Sequence, residues 1–103
     1  SYTLSKQALA AATRSMAAAL APHVRVNAVA PGLTIATADY DEAILGRNRD
    51  AMPLHRLPSV AEVADAVLYL ATAQSTTGQT IFVDGGAHLT AFDRDFIRLP
   101  GSR

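Results

Sequence analysis

The sequence predicts an α/β fold with a parallel sheet, and three observations carry that prediction. Residues 3–21 form a long Ala-rich stretch without Gly or Pro. Two short β-branched runs, 24–30 and 80–83, each stop at a turn sequence, Pro31-Gly32 and Asp84-Gly85-Gly86. Helical patterns precede and separate those runs, giving the order helix, strand, helix, helix, strand, tail.

The first helix is expected over 3–21. Leu9, Ala12, Met16 and Leu20, with Ala8 and Ala19, recur at three and four residues and mark one face. Alanine has the highest helix propensity, and Pro22 ends the run. The other faces also carry Ala, so a neighbouring helix can approach closely. Residues 24–30, Val-Arg-Val-Asn-Ala-Val-Ala, read as a strand stopped by Pro31-Gly32. Residues 33–39 are small, polar and irregular. A short helix is expected from Tyr40 to about Arg49, with Asp39 as its N-cap and Glu42 as the reciprocal partner.

Pro53 and Pro58 bracket a loop. Ser59 starts a clearer helix, with Glu62 completing a capping box. Val60, Val63, Ala64, Val67, Leu68 and Ala71 form its expected apolar stripe. Thr77-Gly78 turns the chain into the second strand, 80–83. The tail mixes Asp93, Arg94, Asp95 and Arg98 with Phe92, Phe96 and Ile97, and its end is expected to be loose.

Composition narrows the class of function. Nine basic and nine acidic side chains cancel in 103 residues. There is no basic stripe for nucleic acid, and no apolar run near the roughly 20 residues of a membrane helix. The first residues do not read as a signal peptide, and a cytoplasmic protein is the default expectation. Cysteine is absent, which excludes disulfides and thiolate metal sites. His23, His55 and His88 show no ligand spacing, so no metal is expected. No repeat or linker divides 1–103. Two strands alone are marginal in water, and helical periodicity begins almost at residue 2. The chain therefore reads as a portion of a larger fold whose other strands lie upstream of Ser1.

Tyr2 and Lys6 stand four apart on the first helix, which places them on one face. A free phenol titrates near ~10 and is a poor catalyst at neutral pH. A neighbouring ammonium favours the phenolate, and the phenol can then exchange a proton with a substrate oxygen. The bare spacing is equally that of a solvated helix face.

Its context adds to it. Ser1-Tyr2-Thr3-Leu4-Ser5-Lys6 stands at the head of the Ala-rich helix, and Arg25-Val26-Asn27-Ala28-Val29-Ala30-Pro31-Gly32 comes next. The run Thr77-Gly78-Gln79-Thr80-Ile81-Phe82-Val83-Asp84-Gly85-Gly86 follows. In these motifs and their order the chain resembles the short-chain dehydrogenase/reductase family. The resemblance implies that 1–103 is the C-terminal portion of a single Rossmann-type, doubly wound parallel-sheet domain whose nucleotide-binding half is missing. It implies an NAD(P)(H)-dependent oxidoreductase acting on a small-molecule carbonyl, hydroxyl or pterin-type substrate. Tyr2 is then the general acid or base, while Lys6 lowers its pKa and binds the nicotinamide ribose. Pro31, Gly32 and Thr34 line the nicotinamide side. A frequent family threonine falls at Ala36, and Thr37 is one further on, so the hydroxyl that meets the cofactor stays open. A homodimer or homotetramer through helix 3–21 is also implied.

Other residues take plainer readings. Asn27 is expected to organise backbone, Asp84-Gly85-Gly86 to be a structural turn, and the histidines to be structural or solvated. The family's Gly-rich loop, its cofactor-selecting residue and its catalytic serine are not in this sequence, and Ser1 does not replace that serine. The isolated 103 residues are therefore expected to be inactive. Within the family, Pro31-Gly32-Leu33-Thr34 and residues 53–89 are similar to pteridine reductase-like members, which favours NADP(H). The alternative is a non-catalytic remnant serving as a packing or interaction surface.

Overall fold

The computed structural model describes residues 2–32 and 42–89. Helix α1 (Tyr2–Leu20) leads into strand β1 (Ala28–Pro31), followed by α2 (Glu42–Ala51), α3 (Val60–Thr72) and β2 (Thr80–Val83). A 3-10 turn, Ala87–Leu89, closes the described chain. The strands pair in parallel, with Ala28 opposite Thr80 and Pro31 opposite Val83. The α/β architecture with a parallel sheet is as expected.

α1 packs on β1, but on a different face from the expected one. Thr13 and Ala17 are buried, and Lys6 and Ala10 are half-buried at the same helical spacing. Leu9, Ala12, Met16 and Leu20 are exposed. The helix has apolar residues on every side, so periodicity cannot single out the inward one. The strand takes the smallest side chains, which let the backbones approach. The Thr13 hydroxyl, carried inside with them, donates to the Leu9 carbonyl at 2.8 Å, satisfying a polar group that would otherwise be costly to bury.

β1 is shorter than the strand expected over 24–30, because side chains take over the work of a ladder before it begins. Arg25 donates through Nη1 to the Leu70 carbonyl at 2.9 Å and through Nη2 to that of Ala71 at 3.1 Å. Those are orphan carbonyls at the C-terminal end of α3, where a cation is favourable. The Asn27 amide donates to the Thr76 carbonyl at 2.9 Å, and its oxygen accepts from the Gln79 N–H at 3.0 Å. Asn27 thus organises backbone, as expected. The Thr77-Gly78 turn is tied to the same segment by Gly78 N–H donating to the Val26 carbonyl at 2.8 Å.

α2 extends two residues past Arg49; its expected cap, Asp39, lies outside the described residues. α3 starts as expected. The Ser59 hydroxyl accepts from the Glu62 N–H at 3.1 Å, and the Glu62 carboxylate accepts from the Ser59 N–H at 3.0 Å. Its inward face differs from expectation. α3 packs on both strands with Leu70 buried and Val63 and Ala66 half-buried. Of the expected stripe, Val60, Ala64, Val67, Leu68 and Ala71 are exposed. As in α1, an apolar surface around most of the helix leaves periodicity without a unique answer.

Candidate active site

The carboxyl ends of β1 and β2 lie side by side, which is where ligands bind in open α/β sheets. Pro31 has no N–H to donate, and the ladder continues one residue later, with Gly32 N–H donating to the Val83 carbonyl at 3.0 Å. A Cβ on Gly32 would stand 2.8 Å from the Asp84 Cβ and 2.9 Å from its Cα. Glycine is therefore needed here by the neighbouring strand, independently of any ligand. Pro31 is exposed and Gly32 half-buried.

Asp84 is the buried polar centre of this end, 2% exposed. Its carboxylate accepts from the backbone N–H groups of Gly86 and His88, each at 3.0 Å. Nδ1 of His88 lies 3.0 Å from one carboxylate oxygen and 3.1 Å from the other. A carboxylate only accepts, so this geometry places a proton on Nδ1, facing Asp84. The imidazole also stacks on Phe82, with centroids 4.1 Å apart and planes 14° apart.

The turn itself is structural, as expected. Gly85 has φ of +65°, and a Cβ there would overlap the Arg56 carbonyl oxygen. The Gly85 carbonyl accepts from Leu54 N–H at 3.0 Å, which joins the loop after α2 to the end of β2. The Asp84–His88 pair was not legible as a pair in the sequence. The available signal was an acid and a histidine four residues apart after a strand.

Tyr2 and Lys6 occupy positions one turn apart at the start of α1. Lys6 is half-buried, on the face that includes Ala10, Thr13 and Ala17. The side chain of Tyr2 and the whole of Thr34 lie outside what is described. His55 is exposed and has a φ of +53°. Among the described residues there is no cluster of three or more His, Asp or Glu side chains suited to a metal ion. Nor is any helix among them long and apolar enough to cross a membrane.

Residues 1–88 match the sequence profile of a family described as enoyl-(acyl carrier protein) reductase. Dihydromonapterin reductase of Klebsiella pneumoniae is 41% identical over 88 residues, covering 85% of this chain and 37% of the relative. Pteridine reductase 1 of Leishmania tarentolae is 42% identical over 93 residues, covering 86% and 32%. Among solved structures, FolM alternative dihydrofolate reductase 1 of Brucella canis, complexed with NADP, superposes with a TM-score of 0.71 at 44% identity. That match covers 88% of this chain and 35% of the other. The chain thus spans about a third of the length of these relatives.

Proposed function

Because the chain belongs to the short-chain dehydrogenase/reductase family, we propose that it is the catalytic C-terminal portion of an NADP(H)-dependent reductase of pterin-type substrates. The observation that carries this reading is the identity with dihydromonapterin reductase over 88 residues, 85% of the chain. NADPH supplies the hydride when bound. Every other role falls to residues of the protein.

Tyr2 protonates the substrate atom next to the carbon being reduced. Lys6, one helical turn on, stabilises the phenolate form of Tyr2 by its charge and offers its remaining donors to the cofactor ribose. Pro31 and Gly32, with Thr34, form the wall on the nicotinamide side. The fit of this end is supported by the exposure of Pro31 at the β1 terminus. No Gly-rich phosphate loop is present in the 103 residues, so the isolated chain is inactive and binds dinucleotide weakly. The intact protein is a cytoplasmic homodimer or homotetramer that pairs through the exposed face of α1.

Steady-state kinetics on the intact protein test this reading, following loss of NADPH absorbance with dihydromonapterin as substrate. Turnover with NADPH well above that with NADH is expected. Turnover of acyl thioesters but not of dihydromonapterin would overturn the substrate class, and no turnover of either would overturn the activity.

A further inference from the structure

We propose that His88 binds the substrate, its Nε2 accepting a hydrogen bond from an N–H or O–H group away from the reacting carbon. The proposal rests on the reductase reading above and adds a specificity residue to it. The imidazole is fixed on two sides. Nδ1 faces the buried Asp84 carboxylate at 3.0 Å, and the ring face lies on Phe82. With Nδ1–H turned to Asp84, the neutral imidazole has a lone pair on Nε2. Among the described residues no hydrogen bond reaches Nε2, and the His88 side chain is 33% exposed.

Its place in the fold gives that acceptor a use. Asp84 fills the space left by the missing side chain of Gly32, so the imidazole stands one side chain away from Gly32, at the ligand-binding end of the sheet. The turn does not need the ring, since Asp84 already holds the N–H groups of Gly86 and His88. An oriented acceptor discriminates. It favours a substrate that carries an amine or hydroxyl, as a pterin's ring amino group does, and leaves a polar group unpaired against an analogue without one.

His88→Asn is the test, because its amide N–H can occupy the place of Nδ1–H and face Asp84 while nothing replaces Nε2. In the full-length protein, KM for dihydromonapterin should rise about tenfold, the loss of one hydrogen bond. Turnover and the NADPH dissociation constant read by nicotinamide fluorescence should stay at parental values, while the thermal midpoint falls by the few degrees that loss of the Phe82 stack costs. His88→Gln, whose amide oxygen reaches the position of Nε2, should recover most of the KM. Calorimetric titration of dihydromonapterin into Tyr2→Phe protein, with and without His88→Asn, should show the same tenfold loss. Because that measurement needs no turnover, it stands even if Tyr2 proves not to be catalytic. An unchanged KM, a shift in NADPH affinity instead, or a KM loss that His88→Gln does not recover would each overturn the proposal.

Discussion

Gly32 and Asp84 are interlocked: the Cβ that Gly32 lacks would stand 2.8 Å from the Cβ of Asp84. The two residues come from the ends of different strands, 52 positions apart. Their contact brings the candidate nicotinamide wall against the buried carboxylate that holds His88. Gly32→Ala forces the strand ends to separate, and overpacking of this kind costs about 1–3 kcal/mol. Urea unfolding of the intact protein should show that loss. A stability within error of the parent would mean that the strand ends yield freely.

The N-terminus of α3 depends on its capping box. Ser59→Ala should cost about 1 kcal/mol by the same measurement. The Glu62 carboxyl titrates below its ordinary value of 4.5, chiefly because it accepts from the Ser59 backbone N–H. A depressed folded pKa contributes stability that is present above the unfolded value and lost as pH falls through the folded one. The parent's advantage over Glu62→Ala should therefore be full at neutral pH and shrink on acidification below about 4.5. A difference that is constant down to pH about 2, beneath the ordinary carboxylate range, would refute the assignment.

His55 adopts a φ of +53°, where an L side chain costs about 1–2 kcal/mol. Glycine removes that strain but adds about 0.5–1 kcal/mol of unfolded-chain entropy. The balance predicts that His55→Gly stabilises the protein by about 0.5–1 kcal/mol. Destabilisation would show that the exposed imidazole contributes more than its backbone strain.

Tyr2 and Lys6 are expected to act as one unit in the intact enzyme. Tyr2→Phe should lower turnover by about 10²–10⁴-fold while circular dichroism shows an intact fold. Lys6→Met should raise the pH at which reductase activity is lost, because the phenol that donates the proton then ionises later, and should weaken NADPH binding together. The double variant should be hardly slower than Tyr2→Phe, since little remains to activate once the phenol is gone. A folded Tyr2→Phe protein with near-parental turnover would remove Tyr2 from the mechanism.

α1 is the proposed pairing surface. Ala11 and Ala18 are exposed on it, and a carboxylate at either should split an oligomer that packs there. Light scattering of Ala11→Glu and Ala18→Glu measures the mass, with Leu68→Glu on the exposed side of α3 as comparison. Masses unchanged in both α1 variants but halved by Leu68→Glu would move the interface to α3.

Local chemistry made much of this molecule legible from residues alone. The Ser59–Glu62 box, the stop at Pro22, the Thr77-Gly78 turn and the second strand depend on neighbours within a few positions, and each appears where expected. The backbone-organising part of Asn27 also appears where expected, although its partners Thr76 and Gln79 lie 49 and 52 residues away. What sequence could not decide is long-range. α1 and α3 carry apolar residues around most of their surface, so helical periodicity offers several equivalent faces. The choice fell to the sheet, which admits Ala10, Thr13 and Ala17 on one side chain row and Val63, Ala66 and Leu70 on the other, leaving Leu9, Met16, Leu20 and Leu68 outside. Arg25 shortens the first strand by reaching carbonyls 45 and 46 residues away. Asp84 meets Gly32 only after the parallel register has aligned Pro31 with Val83. Such contacts follow from which surfaces fit closely in three dimensions, and spacing along the chain holds no record of that fit.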